Sequence, residues 1–425
     1  MMSFFDIDEK ILELVEKIER ELTFEFERID KISSHNENKV LRAFLDNRVS
    51  EIHFNSTTGY GYNDLGRDVL ERVYSKVFGA DDALVRHNFV SGTHALSASL
   101  FGILRPGDLL VSVAGKPYDT ICRVIGVHGP KISGCFLDYG VKYDEISLLE
   151  SGRVDIESIK NFDWSRVKVA YIQRSRGYSL RPALKIDQIA EISDIIHNSC
   201  KNTVVFVDNC YGEFVCEKEP TDVGADLAVG SLIKNPGGGI AVTGGYVVGR
   251  KGLVEFCANG LTAPGIGKEV GCSLGQNRNM YMGLFFAPSV VANALKVSAF
   301  SRRLFERLGY SVFPKSGEET GDIVSVLQLG SEKALTAFCQ GIQSGSLVDS
   351  FVVPQAWNMP GYQEKVIMAS GAFTSGSSIE ISADAPLKEP HNVYLQGGLT
   401  YNSGKMCVIL ALQKMLSKGL INIEF

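Results

Sequence analysis

Residues 230–239 read GSLIKNPGGG, which sets a single lysine, Lys234, between an apolar run and a proline with three glycines. An amine held where a buried strand ends is easily discharged and then nucleophilic, so it can serve as a covalent attachment point. Three other apolar runs end on residues that suit the same chemistry. VFVDNCYGEF closes its run on Asp208, and a carboxylate is costly to bury unless a cationic group faces it. HNFV leads into Ser91-Gly92-Thr93-His94 and then an apolar helix. Glycine lets the chain turn there, and the free N–H groups at the helix start suit a phosphate. DLLVSV leads to Tyr118, a ring at the same rim, and Ser231 stands three positions before Lys234.

Taken singly, each has an ordinary explanation: a lysine that snorkels to water, a helix cap, a turn acid, a packed ring. Taken together they match the needs of pyridoxal 5'-phosphate. The lysine joins the aldehyde, the aspartate keeps the pyridine nitrogen protonated, the glycine loop takes the phosphate and the tyrosine covers the ring. A nucleotide-binding phosphate loop is excluded, because the glycines follow the lysine and Asn235 stands where Ser or Thr is required.

The elements that position these residues are legible as a pattern. From residue 51 to about 250, short apolar runs (ALVRHNFV, DLLVSV, VKVAYIQ, TVVFVD, DLAVGSLI, GIAVTGGYVVG) alternate with helix-like stretches such as IDQIAEISDIIHNS. That alternation predicts an α/β fold, a mostly parallel sheet with helices on both faces. Ligands bind such sheets outside the carboxyl ends of the strands, where all four motifs fall. A chain of 425 residues exceeds one compact core. We expect a helical arm over 1–50, a large cofactor-binding domain over 51–285 and a smaller α+β domain over 286–425. In the arm, Ile11, Val15, Ile18 and Leu22 share one helical face, and a second short helix follows a polar break at SSHNEN. The long helical passage from Asn277 is expected to break near Pro288.

The net charge of −6 supplies no basic field for nucleic acid or an anionic membrane, and no apolar run approaches the ~18 residues of a membrane span. The acidic N-terminus lacks the pattern of a secretory signal. Nine cysteines without a Cys-x-x-Cys pair point to reduced thiols in a cytoplasm. No carboxylate or histidine cluster has metal-ligand spacing, so no metal is expected.

The chain resembles fold-type I pyridoxal-phosphate enzymes of the cysteine/methionine-metabolism branch, and within it the subgroup called methionine gamma-lyase-like or aluminium-resistance proteins. TTGYGYNDLGRDVLERVYSKVFGADDALV is similar to the branch's tyrosine segment, SGTHAL to its phosphate loop, VFVDNCYGEF to its aspartate strand and GSLIKNPGGG to its lysine site. FTSGSSIEISADAPLKEPHNVYLQGGLTY resembles the C-terminal block of the subgroup. The resemblance implies a seven-stranded sheet in the large domain. It implies Lys234 as attachment point and base on the substrate α-carbon, Asp208 on the pyridine nitrogen, and Tyr118 stacked on the ring in the catalytic set. Gly92, Thr93 and Ser231 would hold the phosphate. Tyr60 or Tyr62 of a neighbouring subunit would reach that phosphate, which implies a homodimer with shared active sites, doubled in this family into a homotetramer.

The implied activity is that of a carbon–sulfur lyase on a small amino-acid substrate, of cystathionine beta-lyase or methionine gamma-lyase type. An α-proton would be removed before β or γ elimination. Other reactions of the same cofactor (transamination, racemisation, retro-aldol cleavage) and a non-catalytic metal-tolerance or ligand-sensing role stay open. One departure stands out: the better-known lyases hold the substrate carboxylate with a C-terminal arginine, and no arginine follows Arg307 here. Arg302, Arg303 and Arg307 read as surface residues. The substitute is expected in QRSRGYS, as Arg174 or Arg176, whose planar guanidinium matches a carboxylate.

Overall fold

The computed structural model describes residues 4–129, 133–358 and 364–423. Two compact units divide the chain, one of residues 35–287 and one of residues 1–34 together with 288–425.

Helices α1 (Glu9–Glu21) and α2 (Thr23–Asp46) begin the chain, and α3 (Leu65–Val77) leads into β1 (Asp82–Arg86). The alternation continues through α4 (Gly92–Ile103), β2 (Leu109–Ser112), α5 (Asp119–Ile125), β3 (Lys142–Glu145) and α6 (Ile156–Asn161). Then come β4 (Val167–Gln173), α7 (Ile186–Ser199), β5 (Val204–Asp208), β6 (Leu227–Ser231), β7 (Gly245–Gly249) and α8 (Lys251–Leu261). These strands form one seven-stranded sheet in the order β1-β7-β6-β5-β4-β2-β3. β7 runs antiparallel to both its neighbours, and the other pairings are parallel. Leu84, Tyr171, Phe206 and Val229 line one face against Leu96 of α4 and Val254 of α8. Val111, Ile172, Val205 and Val207 line the other, against Ile189 and Ile192 of α7. Burial on both faces is why the central strands read as unbroken apolar runs. β3 (KYDE) sits at the sheet edge with mostly exposed side chains, so it carries no such run and left no mark in the sequence pattern.

The polar break expected at SSHNEN does not occur: α2 runs unbroken from Thr23 to Asp46. Ser33 and Asn36 are buried within it. The Asn36 amide donates to the carbonyls of Phe214 (3.3 Å) and Cys216 (3.0 Å), so the polar residue that reads as an interruption is a buried anchor.

The remaining unit is entered along α9 (Asn277–Arg307), which continues through Pro288 instead of breaking there. It contains β8 (Ser311–Phe313), β9 (Ser325–Gln328), α10 (Glu332–Gly345), β10 (Trp357–Asn358), β11 (Lys365–Ala369), β12 (Ser382–Pro386), β13 (Asn392–Gln396) and α11 (Tyr401–Ser417). Its six strands form an antiparallel sheet in the order β10-β11-β12-β13-β9-β8. A 13-residue helix is marginal alone, so α1 depends on its apolar face. Ile11, Leu14, Val15 and Ile18 bury that face in this unit's core, each contributing about 1.5–3 kcal/mol. Arg302 is not at the surface as expected. It is buried, donates to the carbonyls of Lys315 (2.9 Å) and Glu318 (3.2 Å), and pairs with Glu25 at 3.3 Å. Among the described residues, α9 is the one helix long and apolar enough to cross a membrane, and 72% of its most apolar window is buried.

Asn36→Ala removes both bonds to the 214–216 turn and leaves one buried and one part-buried carbonyl short of a donor. Chemical denaturation should show a loss of about 1–3 kcal/mol, whereas a solvated helix break would tolerate the change.

Candidate active site

The start of α4 is built as the sequence suggests. Ser91 caps it, its hydroxyl accepting from the His94 N–H at 3.0 Å. Gly92 follows, packed against the end of β6: a Cβ there would lie 3.2 Å from Ser231 Cβ and 3.5 Å from Cys210 Sγ. The hydroxyl of Ser231 is buried and has no hydrogen-bond partner among the described residues, an arrangement that is costly unless a polar group comes to meet it. The Thr93 hydroxyl meets that of Thr120 at 2.9 Å, tying α4 to α5 immediately after Tyr118. The Tyr118 N–H donates to Gln173 Oε1 at 2.6 Å. Its ring packs edge-on to Tyr178 at 5.9 Å, beside Gly177, where a Cβ would come within 3.2 Å of the ring. The loop after β4 therefore brackets the tyrosine.

Asp208 ends β5 at 7% exposure. Its Oδ2 accepts from the Tyr171 hydroxyl at 3.1 Å and its Oδ1 from the Cys210 N–H at 3.1 Å. The next residues turn back sharply, with Tyr211 in the left-handed region at φ +72°, a strained conformation for a non-glycine residue. That turn brings the Tyr211 ring to 3.9 Å from the Lys234 amine. Burial works against the charge on Lys234, but Cys210, Tyr211, Asp208 and Glu213 outweigh it and hold the pKa above the ordinary lysine value.

Arg174 does not reach the rim. β-strand alternation sends Asp208 to one face and its successor Asn209 to the other, and Arg174 lies with Asn209. Fully buried, it donates to Asn209 Oδ1 at 2.8 Å and lies 3.8 Å from Glu219 Oε2. Asn209 in turn donates to Glu219 Oε2 (3.1 Å) and Tyr246 Oη (3.2 Å), and the Tyr246 hydroxyl donates to Glu213 Oε1 at 2.9 Å. This is a sealed polar network under the site, so Arg174 neutralises buried carboxylate and is not placed to meet a substrate. The Asn235 amide donates to the Glu213 carbonyl at 3.0 Å, which ties the residue after Lys234 to the same network. Burial pushes the Glu213 carboxyl up to about 8; the Glu219 charge adds to this, while the Tyr246 hydroxyl and Lys234 oppose it. Arg176 is also buried, at 2% exposure, but belongs to the loop that packs on Tyr118. Arg181 stitches that loop through the carbonyls of Gln173 (2.8 Å) and Ser175.

Tyr60 and Tyr62 are exposed, 72% and 62%, with their rings stacked at 5.5 Å. Their loop is fixed: the Tyr60 carbonyl accepts from the Gly271 N–H at 2.9 Å and the Gly61 carbonyl from Arg67 at 2.8 Å. Gly92, Thr93, Tyr118, Asp208, Ser231 and Lys234 are therefore gathered at one end of the large sheet, Arg176 accompanies them, and Arg174 is withdrawn. Sequence reasoning missed Tyr171, Gln173, Tyr211 and Glu213. Tyr171 could have been found from register alone, because it pairs with Phe206, which shares a face with Asp208.

The family model described as methionine gamma-lyase matches residues 11–416. The chain belongs to the methionine gamma-lyase family. An uncharacterized Bacillus subtilis protein, YnbB, is 44% identical over 405 residues, 95% of this chain and 96% of that one. The crystal structure of a carbon-sulfur lyase involved in aluminum resistance from Clostridium novyi NT is 46% identical, with a TM-score of 0.93 over 96% of each chain. The pyridoxal-5'-phosphate-dependent protein YhfS from Escherichia coli shares the fold at 16% identity, with a TM-score of 0.61 over 92% of this chain and 97% of that one. The methionine gamma-lyase family fold is thus the fold-type I architecture that the motifs suggested.

Because Glu213 holds its proton up to about 8 when folded and only to about 4.5 otherwise, the folded state binds the extra proton between those values. Its contribution to stability is therefore present at low pH and lost as pH rises towards 8. Glu213→Gln should flatten the wild-type decline by up to about 1.4 kcal/mol per pH unit in that window, read from denaturation midpoints across pH.

Proposed function

We propose that this protein is a pyridoxal-phosphate-dependent carbon–sulfur lyase acting on a sulfur-containing amino acid. The observation that carries the reading is the convergence of the unpartnered Ser231 hydroxyl, the Gly92 backbone, the buried Asp208 and Lys234 at one end of the sheet. The residues fit the group. A phosphate supplies the acceptor that Ser231 lacks and meets the N–H groups at the start of α4. Asp208, already held by one donor on each oxygen, suits a protonated ring nitrogen. The name borne by the Clostridium novyi relative supports the reaction class.

When bound, pyridoxal phosphate would supply an electron sink for the substrate's α-carbon. The work of the chain is to attach, orient and move a proton. Lys234 would be the attachment point for the cofactor's aldehyde, and its Nζ would take the substrate's α-proton and return a proton to the leaving thiolate. Tyr118, held through Gln173, covers the ring. With Arg174 committed beneath the sheet, Arg176 is the guanidinium we assign to the substrate carboxylate. Loss of thiolate from the β or γ carbon, its protonation, and hydrolysis of the remaining enamine or imine by one water would give a thiol, a 2-oxo acid and ammonia. The exposed Tyr60–Tyr62 pair we assign to the phosphate of a partner subunit in a homodimer, because stacked rings on a fixed loop present two phenols away from their own sheet.

Purified protein given pyridoxal phosphate should gain a visible absorption band that Lys234→Ala lacks. It should release thiol and 2-oxo acid from at least one of cysteine, cystathionine and methionine. Keto-acid exchange without thiol release would overturn the lyase reading. Arg176→Gln should raise KM more than it lowers kcat.

Lys234→Ala subunits and Tyr60→Ala/Tyr62→Ala subunits should each be inactive alone and recover activity when co-expressed. Mixed oligomers that stay dead would sink the shared-site arrangement.

A further inference from the structure

Tyr171 carries a hydroxyl into a largely apolar part of its sheet face. It projects from β4 into the cluster formed with Leu84, Phe206 and Val229, and is fully buried. A phenol buried among hydrocarbon needs an acceptor, and this one finds Asp208 Oδ2 at 3.1 Å. Its ring stacks on Phe206 at 5.9 Å and 23°, which fixes the direction of the hydroxyl. The opposite oxygen, Oδ1, is held by the Cys210 N–H. One donor on each oxygen fixes the plane of the carboxylate and still leaves lone pairs for a third donor. Burial, and then the charge on Asp208, push the Tyr171 phenol well above its ordinary value, so it stays protonated and can only donate to the aspartate.

We infer that Tyr171 is a positioning residue for the cofactor's ring nitrogen, its hydroxyl orienting the Asp208 carboxylate to face a protonated pyridine. The inference rests on the cofactor reading above. It goes beyond it in assigning the strength of the nitrogen contact to a side chain on a different strand, which itself does not touch the ring. The alternative is that the tyrosine only fills the core.

The two roles separate through an analogue. 1-Deazapyridoxal phosphate has carbon in place of the ring nitrogen and otherwise the same shape and phosphate. Cofactor-free protein would be titrated with pyridoxal phosphate and with this analogue, following absorption and the quenching of intrinsic fluorescence. Tyr171→Phe should weaken pyridoxal phosphate roughly 10- to 100-fold and leave the analogue within about twofold, the scatter of measured contact energies. In an Asp208→Asn background the same change should have no further effect on pyridoxal phosphate. Equal weakening of both ligands, or of neither, would overturn the inference. Should Tyr171→Phe fail to fold, 3-fluorotyrosine at position 171 keeps the ring and strengthens the donor. It should tighten pyridoxal phosphate and not the analogue, and unchanged affinities would again overturn the inference. Failure of the wild type to attach pyridoxal phosphate at Lys234 would instead defeat the cofactor reading itself, and Lys234→Ala tells the two failures apart.

Discussion

A carboxylate at the end of an apolar strand, 7% exposed, is the constraint around which the large unit is arranged. Ionised Asp208 cannot sit there without donors, and the structure provides them from two directions, the Tyr171 hydroxyl and the Cys210 N–H. The second of these requires the chain to turn immediately after the strand. That turn places Tyr211 over Lys234 and sends Glu213 and Phe214 beneath the sheet. The position of the lysine amine and the fold of the 209–219 segment are thus consequences of satisfying one buried charge.

Beneath the sheet the same logic is repeated with more groups. Arg174, Asn209, Glu213, Glu219 and Tyr246 are all fully or nearly fully buried, and each carboxylate there is held by at least one donor. Such networks are weak stabilisers against an apolar core of equal volume but penalise any alternative packing, because breaking one pair strands a charge. Gly230 shows how tightly it is built: a Cβ there would lie 2.5 Å from Glu213 Oε1 and 2.6 Å from the Tyr246 ring. The two faces of one strand end therefore differ, with the adjacent Ser231 turned towards Gly92 at the start of α4 and Gly230 towards the scaffold.

How much of this was legible follows from what each feature demands of the sequence. Buried parallel strands demand apolar runs, so β4, β5 and β6 were readable, and so were the residues just beyond them. An edge strand demands nothing of the kind, and β3 was invisible. A polar stretch reads as a break because most polar stretches are solvated; Asn36 is the exception that reaches buried carbonyls. Arg174 and Arg176 are two residues apart on a loop, where no strict alternation sets direction. That Arg174 passes beneath the sheet depends on Asn209 and Glu219, 35 and 45 positions away from it. Local pattern reports what an element buries; it is silent on which distant partner a charged side chain will choose.

The division of the chain into units carries an implication for biogenesis. Residues 35–287 are contiguous, so that body can acquire its contacts while synthesis is still under way. The other body joins 1–34 to 288–425, and its core places Ile11 and Ile18 among side chains such as Phe338 and Leu412. Helix α1 must therefore wait, its greasy stripe unsheltered, until some three hundred further residues have been translated. That helix is where a holdase chaperone would be needed most.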